Sequence, residues 1–197
     1  MLKIVASVSD GIERVERLLV RVIVLALPIM ILANATGRAL RSPIYWMDEL
    51  AILTMVWLAM IAMSLTLKTR DAVAVTMLLD MLPPAVMKAL RLAVDSLVLS
   101  FGLVLLVLTW HWFDPLTLMR LGFDTRAFSG ETFNFMYQDT TATLGIPKFW
   151  FWLVVPISAL CTSIHALSNL IDTFKRPALP VDNKTPAAAM TGGVGVR

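Results

Sequence analysis

The stretch LAILTMVWLAMIAMSLTL, from Leu50 to Leu67, decides the fold because none of its residues carries a charge. Three other stretches are uncharged over comparable lengths: Val22 to Gly37, Ser96 to Phe113 and Phe149 to Ile171. A helix that crosses a bilayer needs about 20 mostly apolar residues, and each stretch reaches that length with its flanking residues. We therefore predict an all-α membrane protein with four transmembrane helices, at about residues 18–40, 49–67, 92–113 and 149–171.

The composition of the whole chain agrees with this prediction. Hydrophobic residues make up 58% of the 197 residues and charged residues 16%, whereas soluble domains contain about 25% charged residues. The segments between the spans are too short for a separate soluble core. We predict one transmembrane domain over residues 1–175 and a flexible cytoplasmic tail over residues 176–197, which is rich in Pro, Gly and Ala.

Basic residues indicate the orientation. Twelve of the 17 lie in the N-terminal arm, the middle loop and the tail, and the other five are Arg38, Arg41, Arg120, Arg126 and Lys148. Because Lys and Arg concentrate on the cytoplasmic side, both termini and the middle loop are predicted to be cytoplasmic and the loop 114–148 to face outward. The net charge of +3 then reflects contact with membrane lipids, and we expect no nucleic-acid partner.

Two segments have more than one interpretation. The run around Ala33 imitates the cleavage site of a secretory signal, but its apolar part is too long for a signal core, so we expect an uncleaved helix. In the middle loop, apolar residues recur at steps of three and four: Val75, Leu78, Leu79, Leu82 and Val86. This pattern predicts either an amphipathic helix lying on the cytoplasmic surface or a hydrophobic connector packed against the bundle.

Few charged groups lie within the spans. Asp95 follows Arg91 by four residues, which predicts a structural ion pair near the cytoplasmic headgroups, with an ion pathway as the alternative. Asp48 and Glu49 open the second helix, where carboxylates complement the helix dipole. They can also form salt bridges with Arg38, with Arg41 or with a partner subunit.

The two histidines raise the question of a haem. His111 ends the third span, whereas His165 lies sixteen residues into the fourth, about 24 Å deeper at 1.5 Å per residue. They cannot share one iron, and we predict that His165 is hydrogen-bonded between helices. The sequence contains no phosphate-binding loop, no cysteine or histidine cluster and no nucleophile with a base. We therefore predict no enzymatic activity and no catalytic, cofactor or metal site.

The order of several short motifs resembles a known family. Trp46-x-Asp48-Glu49-Leu50 opens the second helix and Met55-Val56-Trp57-Leu58-Ala59 lies within it. Asp80-Met81-Leu82-Pro83 follows in the middle loop, Thr143-Leu144-Gly145-Ile146-Pro147 precedes the last helix, and His165-Ala166-Leu167-x-Asn169-Leu170 closes it. Over residues 14–174 this order is similar to the small permease subunit of tripartite ATP-independent periplasmic (TRAP) transporters.

This resemblance implies a function and partners. It implies a scaffold in the bacterial inner membrane that binds a large permease subunit, while a periplasmic binding protein delivers the solute and an ion gradient, sodium in the family, drives uptake of an organic acid or similar solute. The interface residues predicted from the matching motif are Trp46, Asp48, Glu49 and Trp57. The sequence departs from the family at Thr69-Arg70-Asp71-Ala72 and in the length of the outward loop, for which we expect a docking role.

Two other functions remain open at this stage. A four-helix membrane anchor of a respiratory complex would have the same spans and would bind haem or quinone. A self-standing small transporter or channel would work without a partner, although isolated Pro28 and Pro156 do not resemble the paired broken helices of a transport site.

Overall fold

The computed structural model describes residues 2–69 and 83–175. Its helices are α1 (Leu2–Ala39), α2 (Tyr45–Thr69), α3 (Pro84–Phe113), α4 (Pro115–Arg120), α5 (Thr125–Thr132), α6 (Phe149–Trp152) and α7 (Val154–Lys175). Within these two ranges there is no β-strand, only an isolated bridge between Thr140 and Pro147. The prediction of an all-α protein is confirmed.

Four segments are long and apolar enough to cross a membrane: Ile4–Ala39, Tyr45–Thr69, Ala85–Arg120 and Phe149–Lys175. This confirms the four predicted transmembrane helices. Three of the helices begin earlier than the predicted spans, α1 at Leu2, α2 at Tyr45 and α3 at Pro84. The apolar pattern marks only the part of a helix that fits the bilayer, whereas backbone hydrogen bonding continues past it. Pro84 suits the first turn of α3, where a missing N–H costs nothing.

Two predicted features lie outside the described residues. The surface helix between the second and third spans falls on residues 70–82, and only the last member of its apolar stripe, Val86, belongs to a described element, α3. The predicted cytoplasmic tail, residues 176–197, also lies outside them. Both remain predictions.

Helix α7 lies at the centre of the bundle. It packs along α3 on one side and against α1 and α2 on the other, while α1 and α2 form an antiparallel hairpin. The two helices approach closely at Gly102, where an added Cβ would lie 2.6 Å from the Ser163 Oγ atom. Any larger residue at this position would have to displace the Ser163 side chain or separate the helices.

The interior of the bundle is unusually polar. Helix α7 buries a row of small and hydroxylated residues, as the sequence predicts for a packing helix: Ser158, Thr162, Ser163, Ser168 and Asn169. Small side chains let membrane helices approach closely and hydrogen-bond across the contact. The core of this protein is therefore held together by close approach and hydrogen bonds as well as by apolar contact.

Candidate functional site

Glu49 joins the membrane bundle to the loop 114–148, which is predicted to face outward. It lies in the second turn of α2, and its carboxylate accepts hydrogen bonds from the backbone N–H groups of Ala142 at 2.8 Å, Thr143 at 2.7 Å and Leu144 at 3.4 Å. The Thr143 hydroxyl donates a fourth at 2.6 Å. Successive backbone N–H groups that point to one side form an anion-binding concavity. Glu49 fills this concavity from another part of the chain, and residues 142–144 are thereby tied to the start of α2.

The loop that Glu49 holds is a folded unit, which we call the outer unit, residues 114–148. Asp124 caps α5 by accepting from the N–H groups of Arg126 at 2.9 Å and Ala127 at 3.1 Å, which satisfies two donors that a helix start leaves free. The side-chain amide of Gln138 donates to the Thr125 carbonyl and to Ser129 Oγ. These bonds fix α5 within the unit.

The outer unit also has an aromatic core. Phe128 is fully buried and meets Tyr137 edge-on, with ring centroids 5.2 Å apart. Tyr137 packs in turn on Phe113 and Phe149, the residues at which two transmembrane helices meet the loop, and its hydroxyl donates to the Phe113 carbonyl at 2.6 Å. Burial raises the pKa of Tyr137, so this phenol stays protonated and keeps its donor.

Three phenylalanines of the outer unit point away from the bundle. Phe133 is 83% exposed, Phe123 68% and Phe135 59%. Phe123 and Phe133 also have positive φ angles, 63° and 56°, a conformation uncommon for bulky residues. Exposed aromatic residues are typical of membrane interfaces and of binding surfaces.

Asp48 lies one residue before Glu49 and contacts α1. Its carboxylate pairs with the Arg38 guanidinium and accepts from the Asn34 side-chain amide. The pair with Arg38 is one of the contacts that the sequence allowed for Asp48. These bonds close the outer end of the α1–α2 hairpin, while at its inner end Lys68 Nζ lies 2.9 Å from Asp10 Oδ1.

The two tryptophans of the predicted interface have different environments. The indole N–H of Trp57 donates to the Phe151 carbonyl at 2.9 Å, which joins α2 to the start of the last span. Trp46 is 44% exposed at the outer end of α2. Three of the four predicted interface residues, Asp48, Glu49 and Trp57, thus form hydrogen bonds within the chain. Their role in binding a partner stays a prediction.

A buried polar cluster joins α1 to α7. The His165 ring is fully buried, with Nδ1 2.8 Å from Ser9 Oγ and Nε2 3.2 Å from Glu16 Oε2. The predicted hydrogen bonding of His165 between helices is confirmed. Both ring nitrogens have hydrogen-bond partners, and Ser9 is also fully buried. This geometry suits a hydrogen-bonded contact that holds α1 against α7.

A second polar contact lies nearer the inner end of α7. The Thr173 hydroxyl donates to Asp95 Oδ2 at 2.7 Å, and Asp95 is buried. The Asn169 side-chain amide donates to the Leu67 carbonyl at the end of α2 at 2.9 Å. The predicted Arg91–Asp95 pair stays a prediction, and Thr173 is a partner that the sequence did not suggest.

Sequence reasoning missed the residues that Glu49 and His165 contact. Ser9 and Glu16 lie seven residues apart and therefore on one face of α1, a spacing that would have suggested a buried face. No spacing in the sequence indicates that the backbone amides of residues 142–144 contact Glu49. In residues 2–69 and 83–175 no group of three or more His, Cys, Asp or Glu side chains is arranged to hold a metal ion.

Comparison with known proteins gives one family. Residues 27–176 match the family described as "Tripartite ATP-independent periplasmic transporters, DctQ component". No curated protein gives a significant match. The match covers three of the four spans completely, part of the first and the whole outer unit, and it includes the contacts of Asp48 with Arg38 and of Glu49 with residues 142–144. The chain belongs to the DctQ component family of tripartite ATP-independent periplasmic transporters.

Proposed function

We propose that this chain is the scaffolding subunit of a transporter that takes up an organic acid or a similar solute. It binds the large permease subunit in the bacterial inner membrane, a periplasmic binding protein delivers the solute, and a sodium gradient drives uptake. Both termini are cytoplasmic. The family membership supports the assembly, and the four apolar helices support a multi-pass location.

The observation that carries the scaffold role is the attachment of the outer unit to α2. Four hydrogen bonds to one carboxylate hold residues 142–144 at the top of a membrane-spanning helix. A platform fixed in this way keeps a constant height above the bilayer. A subunit that positions its partners needs this property, since a mobile loop would lose binding energy to ordering.

The outer unit offers a surface for the periplasmic partner. Phe123, Phe133 and Phe135 are exposed on the side that the charge distribution predicts to be periplasmic. Trp46 is exposed at the same end of the bundle and remains the interface candidate of the second helix. Asp48, Glu49 and Trp57 support this surface from within by holding the hairpin and the loop in place.

The test is purification of the tagged full-length chain from its native membrane in a mild detergent, with mass spectrometry of the proteins that stay bound. A large multi-spanning permease in stoichiometric amount is the expected result. Recovery of an iron–sulfur or flavin subunit, or the Soret absorbance of a haem, would instead establish a respiratory anchor. Uptake by vesicles containing the purified complex, with and without a sodium gradient, tests the driving ion.

Replacing Glu49 tests the attachment of the outer unit. In Glu49→Ala the N–H groups of residues 142–144 lose their common acceptor, so we expect their hydrogen exchange to become faster while exchange in α2 and α7 is unchanged. Glu131→Ala is the control, because Glu131 pairs with Arg120 within the outer unit and has no bond to residues 142–144. Equal exchange in the two variants would remove the basis for a fixed platform.

A further inference from the structure

Helix α1 has two unlike faces. The face toward the bundle buries Ser9, Glu16, Leu27 and Asn34, which recur at multiples of about one helical turn. The opposite face carries Arg14, Arg17 and Arg21 at steps of four and three, interleaved with the exposed side chains of Leu18 and Leu25. We call this second set the arginine face. Its apolar members are 60% and 69% exposed.

The depth of Arg21 follows from contacts at the two ends of the hairpin. The Asp10–Lys68 pair marks the inner end and the Asn34–Asp48 contact the outer end. Arg21 lies eleven residues after Asp10, which is about 16 Å along the helix axis. Leu19, two residues before Arg21, lines a cavity together with Trp57, a residue in the middle of the uncharged stretch of α2. Arg21 therefore lies at the depth of the apolar interior.

The arginines differ in their partners. Arg17 pairs with Glu13 on the same helix, with nitrogen and oxygen 2.5 Å apart. Arg21 is exposed and, among residues 2–69 and 83–175, forms no hydrogen bond or ion pair with another side chain. Ionised side chains at membrane depth are costly, and they normally face a protein interior and pair with an opposite charge. Arg21 lacks such a partner within the described chain.

We propose that the arginine face is the surface that binds the large permease subunit, and that a carboxylate on a transmembrane helix of that subunit pairs with Arg21. This inference rests on the proposed function. A guanidinium and a carboxylate form two parallel hydrogen bonds, and their attraction offsets part of the cost of keeping each charge in the apolar medium. Leu18 and Leu25 supply the apolar contact around the pair.

Two other occupants fit this surface less well. A lipid phosphate lies at the headgroup level, so Arg21 could reach one only by extending toward the start of α1, where the exposed Arg14 and Arg17 already lie. A second copy of the chain, related by a two-fold axis along the membrane normal, would bring two Arg21 side chains toward each other. Like charges in an apolar medium repel strongly.

A site-specific cross-linker tests which molecule covers the face. A photoreactive phenylalanine analogue replaces Leu25 in the full-length chain, which is co-expressed with the large permease and irradiated in the membrane. We expect a cross-link to the large subunit at position 25 and none at Ile23, which faces a cavity shared with Trp57. A cross-link from position 25 to lipid alone or to a second copy of this chain would overturn the proposal.

Substitution of Arg21 tests the charge. Arg21→Leu suits a lipid-facing position, so the chain should still insert, but recovery of the large subunit should fall about tenfold or more, the equivalent of one lost strong contact. Arg21→Lys should retain most of the recovery, and Arg126→Leu, at an exposed arginine of the outer unit, should retain all of it. Unchanged recovery of the large subunit with Arg21→Leu overturns the proposed binding role of the arginine face but leaves the proposed function intact. No recovery with the unmodified chain overturns the proposed function itself.

Discussion

Helices α1 and α7 both cross the membrane, but they follow opposite rules. In the span that ends with α7, the 18-residue apolar stretch has a mean hydropathy of 1.6 and 44% of its residues are buried. In the α1 span, the corresponding stretch has a mean hydropathy of 2.4 and 11% of its residues are buried. In a soluble protein the most buried helix is the most apolar. Here the more buried helix is the less apolar one, because lipid accepts apolar side chains and the bundle interior needs other means of cohesion.

The polar groups of α7 supply that cohesion. His165 contacts Ser9 and Glu16 on α1, and Asn169 contacts the backbone of α2. Helix association in a bilayer gains little from the hydrophobic effect and depends on close packing and hydrogen bonds. Most of the exposed surface of α1 consists of apolar residues such as Leu25 and Leu32, which contribute nothing to cohesion within the chain.

Of the three substitutions, replacing His165 should cause the largest loss of stability, because it removes the polar contact between α1 and α7. His165→Ala removes the hydrogen-bond partner of Ser9 and Glu16 and leaves a cavity at a fully buried site, so we expect a loss of about 3 kcal/mol in the free energy of unfolding, within the range for large-to-small changes at buried sites. The measurement is an SDS titration in micelles followed by circular dichroism. His111→Ala, at an exposed site, is the control. Equal losses in the two variants would mean that the buried cluster does not fasten α1 to α7.

A methyl group at Gly102 tests the packing component. In Gly102→Ala the new Cβ would lie 2.6 Å from Ser163 Oγ, so either α3 and α7 separate or Ser163 rotates and gives up its hydrogen bond to the Ala159 carbonyl, and we expect a loss of about 2 kcal/mol. Adding Ser163→Ala removes the clashing oxygen and should restore most of the stability. Ser163→Ala alone, measured by the same titration, should be nearly neutral. If the double variant did not regain stability, the contact with Ser163 Oγ would not be the cause of the loss in Gly102→Ala.

The smallest effect is expected on the outside of α1. Leu25 is 69% exposed, so Leu25→Ala should change the unfolding free energy of the isolated chain by less than about 0.5 kcal/mol. In the complex with the large subunit the same substitution should weaken association. A large loss in the isolated chain would show that α1 is already covered without a partner, and the contrast with α7 would no longer hold.

The sequence predicts the four helices well, because a long uncharged run in a chain that spans a bilayer has few alternatives. It also predicts that His165 is hydrogen-bonded between helices, since a polar group in lipid must find a partner. The helix ends are less well predicted: Leu2 and Pro84 begin their helices outside the apolar runs that mark the spans.

The partners of the polar groups could not be predicted. Glu49 and Thr143 are 94 residues apart, and the acceptor role of Glu49 toward three backbone amides depends on the turn around Gly145, whose φ of 66° no spacing rule reveals. Similarly, Thr173 and Asp95 meet only because α3 and α7 pack at one register. Long-range pairing depends on packing, and a single sequence records packing only indirectly.

The cluster at His165 also has a consequence for biosynthesis. Ser9 and His165 are separated by 156 residues, and at a synthesis rate of about 5–20 residues per second α1 waits on the order of ten seconds for its last partner to leave the ribosome. During that time the α1–α2 hairpin can already close through Asp10–Lys68 and Arg38–Asp48, whereas Glu16 still lacks its partner. The first helix to be synthesised is therefore among the last to complete its contacts with the bundle. A chain that stops before α7 leaves the Glu16 carboxylate without its His165 partner beside the membrane interior.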